Sequence, residues 1–223
     1  MFEKYKIIKK MDAHIDECIS KNIYTIFGSN YAKNIFAKKL SVDRLTFFYD
    51  LFKEWDNQIA VPKEIGEYLE SLINDEKLII GIHRTRISSD FENDITMKGI
   101  IQNGLRNYGD LSSGAVSDNP NLSKTVSFPG NLLNLMILLK STYKGSTGGF
   151  VLAFPSEIID DEGTITTENS KLIYDKINNV SHIKPEYIIG YVDNSYGVMN
   201  FYSKEELLKH FKKDDALGAV EVK

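Results

Sequence analysis

Two short strand-like segments hold the residues best suited to chemistry: Leu78-Ile79-Ile80-Gly81-Ile82-His83-Arg84-Thr85 and Pro185-Glu186-Tyr187-Ile188-Ile189-Gly190-Tyr191-Val192-Asp193. Hydrophobic runs of this kind usually make plain sheet core, yet the first ends in His-x-Thr and the second opens on a carboxylate. In an extended chain alternate side chains share a face, so Ile79, Gly81, His83 and Thr85 point one way while Ile80, Ile82 and Arg84 point the other. His83 and Thr85 are thereby placed to reach one ligand together. Arg84 has the opposite parity and is expected as a surface or outlying cation unless a bulge redirects it. Glu186 sits at the margin of a buried run, where a carboxylate needs a partner or a task. The combination predicts a cleft with one imidazole, one hydroxyl and one carboxylate.

Other chemistries find less in the sequence. The histidines His14, His83, His182 and His210 are scattered, none pairs with another at helical ligand spacing, and the single cysteine cannot build a thiolate site. No metal is therefore expected. Asp90, Glu92 and Asp94 alternate but lack the glycine and distal glutamate of a calcium loop, which reads as a solvated loop. Cys18 falls on an amphipathic helical stretch, where a buried, inert thiol is the usual outcome. Neither a Gly-x-Gly-x-x-Gly turn after a strand nor a Gly-x-x-x-x-Gly-Lys-Ser/Thr loop is present, and the glycine-rich 145–149 segment precedes a strand instead of opening a helix.

The elements that must hold these residues change character near residue 76. From Lys4 to Ile73 the apolar period is helical: Tyr5, Ile8, Met11, Ile15 and Ile19 recur at three- and four-residue steps, as do Leu45, Phe48, Phe52 and Trp55. Four short helices are read there. Ser41 opens one and Pro62 suits the first turn of another, and the stripes are core because no unusual polar residue interrupts them. Beyond Glu76 the pattern predicts a strand at 78–85, a helix from Ile95 ending at Asn103-Gly104, a polar loop over 107–122 and a short strand at 125–128. A buried helix over 131–142, a strand at 149–154, a polar connection over 156–183 and a hairpin of 186–192 with 198–202 follow. Strands with few intervening helices, behind a helical run, give an α+β fold with a helical N-terminal region, 1–76, and a sheet-bearing region, 77–223.

Composition agrees. A chain of 223 residues, 42% hydrophobic and 11% aromatic, can bury a core without staples. A formal net charge of -4 supplies no strong field towards nucleic acid or an anionic membrane. A lone cysteine and an N-terminus without an apolar signal core fit the cytoplasm, and no segment is apolar and long enough for a bilayer.

The order of motifs resembles the ADP-ribosyltransferase superfamily, in particular its poly(ADP-ribose)-polymerase-like and diphtheria-toxin-like branch. His83-Arg84-Thr85 looks like the His-Gly-Thr or His-Gly-Ser of the family's first core strand, Asn103-Gly104-Leu105 like its helix-ending turn, and Pro185-Glu186-Tyr187-Ile188-Ile189 like its late Asn-Glu-Tyr-Ile-Val strand. The resemblance covers roughly 78–202. Arg84 replaces the family's small residue, and 122–128 takes the place of the central motif without its tyrosine. The resemblance implies a mixed, mostly antiparallel split β-sheet core that uses NAD as substrate. It implies His83 on the adenosine ribose with Thr85 in support, and Glu186 as the catalytic carboxylate on the nicotinamide ribose. Arg84 and Ser127 join the implied NAD-binding set, with Phe128, Tyr108 or Tyr143 stacking on nicotinamide.

The activity so implied is toxin-like mono-ADP-ribosylation of a macromolecule, a protein before a nucleic acid, with release of nicotinamide. An NAD-dependent RNA 2'-phosphotransferase, drawing on Arg84, Arg86 and Arg106, and a non-catalytic binding or regulatory module of the same fold are the alternatives.

Overall fold

The computed structural model describes residues 2–28, 38–84, 95–107, 115–116, 126–140, 148–158, 174–177 and 180–217. Helix α1 (Phe2–Ser20) buries Met11, His14, Ile15 and Cys18. Helix α2 (Val42–Gln58) buries Leu45, Tyr49, Phe52 and Asp56, and Ser41 caps it by accepting the Arg44 N–H at 3.5 Å. Helix α3 (Lys63–Ile73) starts directly after Pro62. Among the described residues the N-terminal region thus holds α1, α2 and α3, two further helical residues at Lys38 and Lys39, and a 3₁₀ turn at Ile26–Gly28, and α1 runs for 19 residues where only short helices were expected.

The α2 stripe of Leu45, Phe48, Phe52 and Trp55 packs in the core as expected, and so do Ile8, Met11 and Ile15 of α1, but the ends of the α1 stripe do not. Tyr5 and Ile19 are 57% and 62% exposed, and the buried faces of α1 and α2 include polar residues that the apolar periodicity passes over. Burying His14, Cys18 and Asp56 is tolerable because they meet one another, as described below.

The sheets follow. Strand β1 (Leu78–Arg84) leads to helix α4 (Ile95–Asn103), which ends where Gly104 takes a φ of 81°. Strands β2 (Leu105–Asn107) and β3 (Ala115–Val116), helix α5 (Leu132–Lys140) and strand β4 (Gly148–Pro155) come next. Strands β5 (Tyr174–Ile177), β6 (Val180–Ile183), β7 (Ile188–Asp193) and β8 (Asn200–Ser203) and helix α6 (Lys204–Leu217) complete the order. One antiparallel sheet runs β1-β4-β7-β8; a second runs β3-β2-β6-β5, in which only β2 and β3 are parallel. This is an α+β architecture.

Four local expectations are corrected. The polar connection over 156–183 contains β5 and β6, which pair with each other, and the polar loop over 107–122 contains β3; β3 and β6 also pair with β2, and none of the three shows a strict apolar alternation of its own. The strand expected at 125–128 is a single bridge between Ser127 and Ile82. Glu186 lies in a 3₁₀ turn, Pro185–Tyr187, and β7 begins only at Ile188. Proline has no N–H for a ladder and fixes φ, so the strand starts after the turn that it favours.

Each face of the first sheet meets its own core. Ile80, Ile82, Val151 and Val192 pack with α1, α2, α3 and α5, in a cluster that includes Phe27, Phe52 and Leu69. On the other face Phe150, Leu152, Phe154, Ile188 and Tyr191 pack with α4 and α6 and with Leu105 and Ile183 of the second sheet. The β7–β8 hairpin turns through Asp193, whose carboxylate accepts the Ser195 N–H at 3.2 Å and hydroxyl at 2.9 Å, and Asn194 donates to the Leu139 carbonyl at 2.6 Å. No helix among the described residues is long and apolar enough to cross a membrane.

Candidate functional site

β1 is an edge strand, and its free edge is met by the 126–128 segment. Ile82 and Ser127 exchange two backbone hydrogen bonds of 2.9 Å, which sets Ser127 one residue from His83 in register. The same docking lays Phe128 and Val126 against Gly81: a Cβ at Gly81 would stand 2.5 Å from Val126 Cγ1, 3.0 Å from Phe154 Cε2 and 3.5 Å from Phe128 Cε1. Strand alternation puts His83 on this same face, and its side chain is buried, at 8% exposure. Val126 and Phe128 therefore share the His83 face, whereas Ser127, paired directly with Ile82, turns its side chain to the opposite face.

Arg84 does not share the His83 face either. A Cβ at Gly149 would meet Ile82 Cγ2 at 3.3 Å and Arg84 Cγ at 3.5 Å, so Arg84 shares the face of Ile82 that looks towards the N-terminal helices. Thr85, Tyr108 and Tyr143 lie outside the described residues.

From Phe128 a line of rings runs along the sheet towards Glu186. Phe128 and Phe154 have centroids 5.9 Å apart, and Phe154 and Tyr187 5.3 Å. Burial, aided by the Glu186 carboxylate, pushes the Tyr187 hydroxyl above its ordinary pKa. Glu186 itself is exposed, not set in a water-poor cleft. Lys204, at the start of α6, donates to the Pro185 carbonyl. Burial lowers the Lys204 pKa, while Glu186 and Glu205 oppose that shift, so Glu186 works within the field of a partly buried cation.

His83 and Glu186 do not converge on one point. Ile188 is level with Leu152 and hence with Gly81, whereas His83 is level with Phe150 and Tyr191. Glu186 lies in the turn before Ile188, and Ile188 is itself two residues and two strands away from His83. At about 3.3 Å per residue and about 4.8 Å per strand, the His83 and Ile188 Cα atoms are about 12 Å apart. A single small group cannot touch both, and Phe154 in the middle of the line is fully buried, so an elongated ligand reaching both can meet only the partly exposed rings at its ends, Phe128 and Tyr187.

A second polar constellation lies in the helical region, which sequence reasoning took to be free of one. His14 Nε2 is 3.1 Å from Asp56 Oδ2 and 3.6 Å from Cys18 Sγ, and Thr25 Oγ1 donates to Asp56 Oδ2 at 3.1 Å. All four residues are buried. Two signals were available in the sequence: His14 and Cys18 stand at i and i+4 on one helix face, and Asp56 follows Phe52 by four residues on the buried stripe.

No protein-family model, curated protein or solved structure matches the chain, so its chemistry rests on its own residues.

Proposed function

We propose that the protein is an NAD-dependent mono-ADP-ribosyltransferase that uses the His83–Glu186 face of the first sheet and modifies a macromolecular acceptor, a protein before a nucleic acid. The observation that carries this reading is the placement of two motif strands. β1 and β7 both run antiparallel to β4 and hence parallel to each other. His83 lies near the end of one, Glu186 lies at the entry of the other, and Phe128, Phe154 and Tyr187 lie between. A ligand with two ribose units joined through a pyrophosphate suits that span; a single sugar does not. The order of two four-stranded sheets also accords with the split core of the superfamily that the motifs resemble.

In this reading His83 holds the hydroxyls of the adenosine ribose, and Phe128 offers a ring beside the bound dinucleotide. The glycosidic C–N bond of NAD breaks with its electron pair leaving on nicotinamide, and the ribose acquires oxocarbenium character. A nucleophile of the acceptor then bonds to that carbon and gives up its proton. Glu186 opposes the positive charge as it builds, an interaction stronger in the transition state than in the ground state. Its exposure means that bound NAD and acceptor must themselves exclude water for the carboxylate to act at full strength. The 2'-phosphotransferase alternative draws nothing from Arg84, which faces the other side of the sheet.

The test is release of nicotinamide from NAD by the purified chain, with and without a cell extract as acceptor. Wild type should turn over. Glu186→Gln should lose about 100- to 1000-fold in rate, as for loss of one electrostatic stabiliser, with NAD affinity largely kept. Equal turnover by the variant would remove Glu186 from the chemistry, and no turnover by wild type under either condition would leave the module reading in its place.

A further inference from the structure

The cluster between α1, α2 and the turn before Ile26 stands apart from the proposed NAD face and does not depend on it. Its donors are an imidazole nitrogen, a thiol and a carboxylate oxygen, all within 4.8 Å of one another and all buried. The His14 and Asp56 side chains are only 6% and 4% exposed.

One ring atom, His14 Nε2, faces both other groups. If it carries a proton, that proton serves Asp56 or Cys18 but not both in full. If it is bare, its single lone pair accepts the thiol proton while facing a carboxylate oxygen. In either protonation state one ring nitrogen is shared between a thiol and a carboxylate in a buried place, where electrostatic interactions are strong. A divalent cation at the centre satisfies all three at once, with the thiol deprotonated.

The distances agree with that. With metal–nitrogen and metal–oxygen bonds of about 2.05 Å and a metal–sulfur bond of about 2.3 Å, tetrahedral zinc sets N···S near 3.6 Å and N···O near 3.3 Å. The observed N···S and N···O separations are 3.6 Å and 3.1 Å, and sulfur and carboxylate oxygen lie within 4.8 Å of each other, a pair that the ion would hold at about 3.6 Å. Helix α1 supplies two donors one turn apart, α2 supplies the third, and the Thr25 hydroxyl orients the carboxylate from outside, as an outer partner of a metal ligand does. A thiolate in the set favours zinc over magnesium or calcium.

We propose that His14 Nε2, Cys18 Sγ and Asp56 Oδ2 bind one zinc ion, with a solvent ligand in the fourth position, and that the ion clamps α1 to α2. The full-length chain, freed of metal with a chelator, is titrated with Co²⁺ and, separately, with Zn²⁺. Binding at this site gives thiolate-to-cobalt charge-transfer absorption and the d–d bands of a tetrahedral ion at one equivalent. Zinc at 100-fold excess over its Kd should raise the unfolding midpoint by roughly 5–10 °C. Cys18→Ala should abolish the charge-transfer band, and Asp56→Asn should weaken Co²⁺ binding at least tenfold. A folded wild-type chain that binds no Co²⁺ would reduce the cluster to a hydrogen-bonded network. Binding without a charge-transfer band, or binding unchanged in Cys18→Ala, would put the ion elsewhere. Should either variant fail to fold, the wild-type spectrum alone decides, because the band reports the only cysteine in the chain.

Discussion

Replacing Gly81 by alanine tests the docking on which the proposed site is built. Gly81 does not adopt a positive φ, so the backbone accepts alanine, and restricting the unfolded chain would by itself stabilise the protein by about 0.4–1 kcal/mol. Against this, the new Cβ would stand 2.5 Å from Val126 Cγ1 and 3.0 Å from Phe154 Cε2. Val126 is β-branched and buried and has little freedom to turn aside. Relief must come from moving the 126–128 segment outward, which strains the two Ile82–Ser127 hydrogen bonds of 2.9 Å. Overpacking of this kind costs about 1–3 kcal/mol, and weakening one backbone bond adds about 0.5–1.5 kcal/mol. The clash outweighs the entropy gain. The net loss should be about 1–3 kcal/mol, a fall in Tm of roughly 2–10 °C for a chain of this size, read by thermal denaturation. A Tm equal to or above wild type would show that 126–128 does not pack on Gly81, and Phe128 would leave the site.

His83→Ala should weaken NAD binding by about 0.5–1.5 kcal/mol, roughly a 2- to 13-fold rise in Kd by calorimetry, and unchanged affinity would return His83 to the role of a core histidine. At the head of α6, Ser203 and Glu206 form a reciprocal cap, the Glu206 carboxylate accepting the Ser203 N–H at 2.7 Å and the Ser203 hydroxyl accepting the Glu206 N–H at 3.3 Å; Ser203→Ala should cost about 0.5–2 kcal/mol in denaturant titration. The Ser203 N–H holds the Glu206 pKa below its ordinary value. Its charge therefore stabilises the fold in full above about pH 5 and loses that effect as pH falls through the depressed value. The stability gap between wild type and Glu206→Gln should accordingly close in acid, and a gap independent of pH would refute this.

Much of the frame was legible because it is local. The helical period before residue 74, the Ser41 cap, the Asn103-Gly104 stop and the β7–β8 hairpin are each written in a few neighbouring residues, and each stands where the residues place it. The strands β3 and β6 were not legible because pairing with β2 helps to decide them, and β5, which pairs with β6 alone, carries no strict apolar alternation to announce it. The polar residues on the buried faces of α1 and α2 were missed for a related reason. Apolar periodicity ranks Tyr5 and Ile19 above His14 and Cys18, but the helix buries the polar pair because Asp56 and Thr25, from other elements, complete their hydrogen bonds. At the candidate site, alternation placed His83 and Arg84 on opposite faces of β1 in advance. It could not show that Pro185 would hold Glu186 in a turn and leave it exposed, nor that register would set His83 and Glu186 at opposite ends of their strands.

The central claim is that one dinucleotide reaches from end to end of the aromatic line with a ribose at each end. A crystal structure of the chain with NAD tests it most directly. The adenosine ribose hydroxyls should lie within hydrogen-bond distance of the His83 ring, the nicotinamide ribose should lie beside the Glu186 carboxylate, and the ligand should pass over Phe128. NAD held instead by residues of α1 to α3, or bound with neither His83 nor Glu186 in contact with a ribose, would contradict it.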